Sequence, residues 1–383
     1  MRKKIINTVL VLFLLFPVFL YLAWVFKPGT RTNILILDKT VLSTKGLEHS
    51  AFVWLLSHRK YIKPGGSLYK IDYDYFGFFP LEKKQFEIND LSVFSEEQIE
   101  NIANEIDMVY YTDTYGVYHD DWYIDDSKLT EHSEKIYGGL EMKDLLLLQK
   151  MKEKKKLILT EFNLFAAPTS SSVRLAAETL LGLKWSGWTG RYYHNLDSTK
   201  NKEIPKWVLR LYKEQHNNNW PFTKSGIVFV SSSEKIEILE KDTDLTIEIP
   251  VVRSFDYAVS KFSVPKEINY PYWFDITIST DTSNRVLSYY QIHTNERGDS
   301  ILNNHNIPKI FPAAFENIKD SPFYYFCGDY TDSPIDKTPF RFEWIQYLKL
   351  FVITEQDIND RRPFFWRYSY PMTTKILEDY YRK

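Results

Sequence analysis

The first half of the chain alternates between short apolar runs and longer segments with one apolar face, which predicts strands separated by helices. The predicted strands lie at residues 34–37, 67–73, 108–112 and 156–160. The predicted helices lie at residues 46–58, 140–152 and 171–181, and another begins at Ser95, where Ser95 and Gln98 have capping-box spacing. This alternation predicts an α/β fold with a mostly parallel sheet and helices on both faces.

The pattern changes near residue 225, where short strand-like runs follow one another with little helical signal. These runs lie at residues 226–230, 235–239, 245–249 and 275–279, separated by Ser, Asp, Asn and Pro. We therefore predict a β-rich insertion or subdomain at residues 225–310, between α/β parts at 28–224 and 311–383. The last part has a predicted strand at 323–327 and predicted helices at 340–352 and 371–381.

The N-terminal segment has a different character, because residues 5–26 form a run of 22 residues without a charged side chain. About 20 apolar residues are enough for a helix to cross the hydrocarbon of a bilayer. Arg2, Lys3 and Lys4 precede the run, and the positive-inside rule then leaves the N-terminus in the cytoplasm. The sequence predicts an uncleaved single-pass signal-anchor over residues 1–27 in the cell membrane, with the C-terminal domain extracytoplasmic. A cleaved signal peptide is the alternative.

Composition excludes several classes of function. The chain has 48 basic and 50 acidic side chains, and four of the basic ones, Arg2, Lys3, Lys4 and Lys27, belong to the predicted anchor. The outer part is therefore net acidic, which disfavours binding to a nucleic-acid backbone. The single cysteine, Cys327, lies in an apolar run typical of a core strand, and no Cys/His cluster has zinc spacing. No glycine-rich phosphate loop is present, so we expect no nucleotide cofactor. Because the Cys and His residues lack ligand spacing, we also expect no metal.

Carboxylates follow the predicted strands of the sheet. The parallel strands of an α/β sheet share one edge at their carboxyl ends, where ligand crevices form. The residues at these ends are Asp38 and Lys39, Asp72 and Asp74, Asp113 and Tyr115, Glu161 and Asn163, and Asp329 and Asp332. We therefore predict a polar cleft lined by Lys39, Tyr115, Asn163 and Asp329. Any acid–base pair would come from Asp38, Asp74, Asp113 and Glu161.

Aromatic residues and an arginine follow the helix predicted at residues 171–181. This stretch contains Trp188, Arg191 and Tyr192, with glycines that permit sharp bends, and Arg174 lies in the helix before it. Aromatic rings beside an arginine and carboxylates suit sugars, which present apolar C–H faces and hydroxyl edges. We therefore predict that Arg174, Trp188, Arg191 and Tyr192 contribute to ligand binding. The alternative is a loop anchored by buried tryptophan rings.

The stretch from residue 33 to residue 183 resembles the class I glutamine amidotransferase-like, flavodoxin-type α/β fold. The resemblance rests on a strand that ends in Asp38, the Tyr-Thr-Asp-Thr-Tyr-Gly segment at 111–116, and the strand-turn-helix at 157–181. In that family the strand-to-helix turn carries a nucleophilic cysteine served by a His and a Glu. Here the turn from Glu161 to Thr169 contains no cysteine. The resemblance therefore implies the fold and the position of the cleft, without glutamine hydrolysis.

These observations lead to three hypotheses about function. The first is a membrane-anchored extracytoplasmic protein that binds or handles a cell-envelope glycan without catalysis. The second is a hydrolase of the same substrate class that uses paired carboxylates. The third is a structural scaffold that docks a membrane or envelope protein. Substitutions in the cleft would impair the first two and leave the third unchanged.

Overall fold

The computed structural model describes residues 2–123, 133–317, 319, 321–335 and 338–382. The strands are, in chain order, β1 (Thr30–Arg31), β2 (Ile34–Asp38), β3 (Tyr61–Ile62), β4 (Phe76–Pro80), β5 (Phe86–Asn89), β6 (Met108–Tyr111), β7 (Val117–Tyr118), β8 (Lys135–Tyr137), β9 (Leu157–Thr160), β10 (Leu183–Tyr193), β11 (Gly226–Ser231), β12 (Ile236–Glu240), β13 (Val251–Ser254), β14 (Glu267–Asn269), β15 (Trp273–Ser279), β16 (Asn284–Gln291), β17 (Ile310–Asn317) and β18 (Phe323–Phe326).

The helices are, in chain order, α1 (Arg2–Phe26), α2 (Leu47–Arg59), α3 (Glu96–Glu105), α4 (His119–Tyr123), α5 (Met142–Glu153), α6 (Ser171–Leu181), α7 (Lys206–Gln215), α8 (Asp256–Phe262), α9 (Glu296–Asn304), α10 (Ile345–Val352), α11 (Arg362–Phe364) and α12 (Tyr370–Tyr381). A π-helical turn at Phe365–Ser369 joins α11 to α12. Single 3₁₀ turns lie at Glu82–Lys84 and Leu91–Val93.

The central sheet has ten strands in the order β14-β13-β16-β17-β18-β9-β6-β2-β4-β5. Its middle, β18-β9-β6-β2-β4, is parallel. The strands on one side of this middle, β17, β16, β13 and β14, pair antiparallel, and β5 is antiparallel at the other edge. The sheet is therefore mixed, which corrects the prediction of a mostly parallel one.

A separate antiparallel sheet has the order β12-β11-β10-β15. The central sheet takes β13, β14, β16 and β17, so the strands of the predicted β-rich segment at 225–310 divide between the two sheets. The strand β10 of the smaller sheet comes from before residue 225. Both sheets contribute to the same apolar core, where Phe229 and Phe274 pack with side chains of the parallel strands. The β-rich character was thus predicted, while pairing across long sequence distances decides which sheet each strand joins.

Local signals set the ends of several helices. Ser95 and Gln98 form the predicted capping box of α3, with the Gln98 amide 3.2 Å from Ser95 Oγ. Gly182 ends α6 in the left-handed conformation at φ 65°, the helix end predicted at 181. The helix α5 packs against α3, α6, β6 and β9, and α12 packs against α2 and α8.

Two predicted strands are absent. Residues 67–73 form turns and a single bridge at Leu68, and residues 245–249 form turns beside a bridge at Leu245. Both stretches contain apolar residues in short runs, which local pattern does not distinguish from strands. As a consequence Asp72 and Asp74 precede β4, so they do not follow a strand of the parallel sheet.

The N-terminal helix α1 is joined to the folded domain only near its end. Trp24 Nε1 donates to the carbonyl oxygen of His58 at 3.1 Å. Lys60 Nζ donates to the carbonyl oxygens of Val25 and Lys27, which fixes the end of the helix. In the part of the chain that the structure describes, no helix is long and apolar enough to cross a membrane.

Candidate functional site

The order of the parallel strands creates a crevice between β2 and β6. From β2 the chain crosses to β4 on one side, whereas from β6 it crosses to β9 on the other. Adjacent strands whose connections leave in opposite directions open a crevice at their carboxyl ends. Asp38 ends β2, and Asp113 follows β6 by two residues. The topology therefore puts one predicted carboxylate on each side of the crevice, Asp38 at β2 and Asp113 after β6.

Asp38 is fully buried and forms two contacts there. Its Oδ2 lies 2.5 Å from Nδ1 of His49, and its Oδ1 accepts from the amide of Thr40 at 3.0 Å. The second ring nitrogen of His49 lies 2.8 Å from the carbonyl oxygen of Ile71. Both oxygens of Asp38 and both nitrogens of His49 are thus occupied within the protein, which orients this pair and holds the start of α2 against the crevice.

The side chain of Asp113 accepts hydrogen bonds at Oδ1. Its Oδ1 accepts from the amide of Tyr115 at 2.7 Å and from Nδ2 of Asn163 at 3.3 Å. The pKa of Asp113 is raised to about 7, mainly by burial and in smaller part by the charge of Asp38, while its hydrogen bonds oppose the shift. Near neutral pH this carboxyl can therefore either donate or accept a proton, as a general acid or base must.

Glu161 follows β9 and is within hydrogen-bond distance of three residues. Its Oε1 accepts from Tyr110 Oη at 2.7 Å, and its Oε2 lies 3.0 Å from the amide of Tyr330 and 3.3 Å from Oγ1 of Thr331. Burial raises the pKa of Glu161 to about 8 in spite of these hydrogen bonds. Glu161 therefore connects β9 to the segment that follows β18, and its raised pKa favours the protonated form at pH 7.

A shallow depression opens beside the end of β18, with acidic, basic and aromatic walls. Its lining includes Tyr270, Tyr272, Asp329, Asp332, Arg361 and Phe364. The guanidinium of Arg361 lies 3.9 Å from the ring centre of Tyr272 and 3.2 Å from Oδ2 of Asp332. Tyr272 donates its hydroxyl proton to the same carboxylate at 2.6 Å. The depression therefore holds hydrogen-bond donors and acceptors against aromatic rings.

Glu48 links the depression to the crevice. It lies in the first turn of α2, and its carbonyl oxygen accepts from Oγ1 of Thr331 at 2.8 Å. Burial raises the pKa of Glu48, and the charges of Asp38, Asp332 and Asp113 raise it further. Burial also raises the pKa of Asp329, with Asp332 the next largest cause. One acidic edge thus runs from Asp38 through Glu48 to the depression.

Sequence reasoning missed Glu48, Tyr272 and Arg361. Glu48 stands within a helical pattern, where a charged residue in the first turn is ordinary. Tyr272 and Arg361 come from segments far from the parallel strands and carry no local signature. Arg361 begins a basic and aromatic segment at residues 361–367.

Three predicted residues lie near the crevice in structural roles. Lys39 is completely buried and points away from solvent, with its Nζ 2.6 Å from Oδ2 of Asp144 and 3.0 Å from the carbonyl oxygen of Gly139. The amide of Asn163 contacts Asp113, and Tyr115 packs its ring against Tyr118 at 5.0 Å. The side chain of Asn163 and the backbone amide of Tyr115 therefore contact Asp113. Lys39 instead forms a buried ion pair with Asp144.

Other predicted residues are separated from the crevice. Asp74 forms an ion pair with Lys63 at 2.7 Å. Arg174 lies over the ring of Trp185 at 5.6 Å. Trp188 and Tyr192 are buried within β10, so the predicted aromatic loop is a strand of the smaller sheet.

Arg191 differs from its neighbours in β10, because its guanidinium lies 5.3 Å from the ring centre of Tyr272. It also pairs with Glu203 at 2.6 Å. Arg191 therefore borders the depression, as a second guanidinium beside Tyr272.

Cys327 is not placed as a reactive thiol. Cys327 is completely buried, and burial raises the pKa of its thiol, which opposes formation of a thiolate. Within the described residues, no group of three or more His, Cys, Asp or Glu side chains could hold a metal ion.

The raised pKa of Glu161 predicts how stability depends on pH. A carboxyl with a higher pKa in the folded state keeps its proton longer in the fold, so stability falls as pH rises between the unfolded and folded values. For Glu161 this window runs from about 4.3 to about 8. Glu161→Gln removes this titration and mimics the neutral form. Between pH 5 and pH 8, we expect the free energy of unfolding to fall by about 3–5 kcal/mol less in the variant than in the wild type.

Chemical denaturation of the full chain across this pH range measures the difference. Glu153→Gln, at an exposed position on α5, is the matched control and should leave the pH profile of the wild type unchanged. Parallel profiles for Glu161→Gln and the wild type would contradict a protonated Glu161 in the fold.

Comparison with known proteins gives structural similarity alone. No protein-family model matches the chain, and no curated protein matches it. A solved glutamine amidotransferase from Thermotoga maritima is similar over 93% of this chain and 100% of its own, at 10% identity and a TM-score of 0.37. A ThuA-like protein from Bacteroides uniformis is similar over 88% of this chain and 98% of its own, at 10% identity and a TM-score of 0.36. Both TM-scores are below 0.5, so these similarities carry no argument about fold or activity.

Proposed function

We propose that this chain is a membrane-attached, extracytoplasmic protein that binds a cell-envelope glycan without catalysis. The observation that carries the proposal is the depression beside β18, where Arg361, Asp332 and Tyr272 lie together against aromatic walls. Hydroxyl groups of a sugar can accept from a guanidinium and donate to a carboxylate, and the C–H faces can pack on aromatic rings. This combination supports a sugar as the ligand.

The partners of the carboxylates favour binding over catalysis. Both oxygens of Asp38, Asp74 and Glu161 are hydrogen-bonded within the protein. An acid–base pair needs two carboxyls that reach the substrate. The fourth sequence candidate, Asp113, accepts hydrogen bonds at Oδ1 from the backbone amide of Tyr115 and the side-chain amide of Asn163. Because three of the four candidates have both oxygens occupied, these contacts support a site that binds a ligand without acid–base catalysis.

Membrane attachment through residues 5–26 is part of the proposal. Side chains of α1 such as Leu12, Phe13 and Leu14 are exposed. Exposed apolar surface of this extent is a feature of membrane or protein contact sites. The predicted cell-membrane location and the extracytoplasmic orientation rest on this segment and on the basic residues before it.

The central test compares two neighbouring arginines. Arg361 lines the depression, whereas Arg362 pairs with Asp360 at 2.7 Å outside it. We expect Arg361→Gln to weaken glycan binding about tenfold or more, because a hydrogen bond to a charged group contributes about 1.5–3 kcal/mol. Arg362→Gln should bind like the wild type. Calorimetric titration of the full chain in detergent with envelope-type oligosaccharides measures both affinities.

Equal affinities for the wild type and both variants would place the glycan elsewhere on the chain. Absence of binding by any envelope oligosaccharide would contradict the proposal and favour the scaffold hypothesis. Thermal unfolding of each variant separates loss of binding from loss of folding.

A hydrolase remains the second candidate, because Asp113 has a pKa of about 7 beside the carboxylate of Asp38. This candidate predicts product release from a bound glycan and a pH-dependent rate. Asp113→Asn should then abolish turnover and leave glycan affinity within a few-fold of the wild type. Chromatography of the oligosaccharide after incubation detects products, and an intact oligosaccharide would exclude this candidate for the substrates tested.

A further inference from the structure

The short helix α10 begins beside the apolar helix α1. The indole of Trp344 stacks on Phe19 with ring centres 5.9 Å apart. The amide of Glu343 donates to the carbonyl oxygen of Leu20 at 3.1 Å, and Glu343 also pairs with Lys27 at 2.8 Å. The start of α10 is therefore fixed to the last two turns of α1.

The outward face of α10 is apolar. Its residues have the helical spacing i, i+3, i+4, i+7 and i+8, and they form an outer stripe of Trp344, Tyr347, Leu348, Phe351 and Val352. All five side chains are exposed, Phe351 to 87% and Val352 to 72%. In a surface helix of a globular domain this spacing normally faces the core. Here it faces away from the domain.

The opposite face of α10 already packs on the domain. Gln346 is buried, with Oε1 3.0 Å from Nε2 of His58. Arg367 donates to the carbonyl oxygens of Leu350 and Ile353 at the end of the helix, both at 3.1 Å. Because these contacts hold the inner face, the outer stripe is left to contact something outside the domain.

We propose that the outer stripe binds the surface of the lipid bilayer to which the proposed function attaches α1, so the inference rests on that attachment. The distance between Phe19 and Phe26 along α1 supports the lipid bilayer as the partner of the outer stripe. Phe19 lies seven residues before Phe26, which is about 10 Å at the rise of an α-helix. Interfacial helices bury their apolar face about 5–10 Å deep, at the boundary of head groups and acyl chains. With α1 along the membrane normal and Phe26 at the surface, which is the arrangement proposed here, Trp344 and the start of the stripe lie at the depth of an interfacial helix.

The side chains around the stripe fit the same boundary. Tyr347 and Trp344 carry the amphipathic rings that concentrate at membrane interfaces. Lys349 lies within α10, and Arg341 lies near its start with its guanidinium 5.9 Å from the ring centre of Trp24. Basic groups at this level attract anionic head groups. Glu355, beyond the end of the helix, pairs with Arg367 at 3.4 Å.

A spin label tests the depth of the stripe in the membrane. Cys327 is buried, so a cysteine introduced on the surface can be labelled selectively. The full chain carrying Phe351→Cys is labelled with a nitroxide and reconstituted in vesicles of phosphatidylcholine and phosphatidylglycerol. We expect collisions with oxygen to rise severalfold relative to collisions with a water-soluble nickel chelate, as for a label in lipid. Leu175→Cys, at an exposed apolar position of α6, is the matched control and should stay accessible to nickel.

A label on α1 tests membrane attachment separately from lipid contact by the outer stripe. Leu14→Cys reports whether α1 itself enters lipid. Lipid exposure at Leu14 together with nickel access at Phe351 would overturn the inference while membrane attachment stands. Nickel access at both positions would overturn both. Protection of Phe351 from both reagents would indicate a protein partner on the stripe and would also overturn the inference. Thermal unfolding confirms that each labelled variant is folded.

Discussion

The burial of carboxyl groups at one edge of the parallel sheet is the constraint on which the rest of the site depends. Desolvation disfavours the ionised form, so each group needs a proton or a donor. Glu161 meets this need through Tyr110, Tyr330 and Thr331, and Asp38 meets it through His49 and Thr40. These contacts join strands and loops distant in sequence. They therefore fix the segment after β18 against the crevice and form the depression beside it.

The helix α2 relates this edge to the N-terminal helix. Its first turn contributes Glu48 and His49 to the acidic edge, and the carbonyl oxygen of His58 near its last turn accepts from Trp24 of α1. Thirteen residues of helix span about 20 Å. A rigid element of this length separates the ligand site from the proposed membrane surface. A glycan at the depression would thus be held near the bilayer at a fixed distance.

Much of the parallel core was predictable because its signals are local. The apolar runs that became β2, β6 and β9, the capping box at Ser95 and the glycine end of α6 need no distant partner. Strand ends then identified Asp38, Asp113, Glu161 and Asp329. Arg361 and Tyr272 reach the site through folding of distant segments, which no local pattern encodes. The strand β10 was not predicted for the same reason. Its aromatic residues suggested a loop, and its antiparallel partners β11 and β15 come from later in the chain.

The protonation state of the buried edge tests this account most directly. Infrared spectroscopy distinguishes a protonated carboxyl from a carboxylate by its carbonyl absorption, and Glu161→Gln assigns the band. The account predicts that the difference spectrum of the wild type minus this variant contains a protonated-carboxyl band at pH 7, and that this band disappears above the Glu161 pKa of about 8. A spectrum at pH 7 that contains only ionised carboxylates would contradict it.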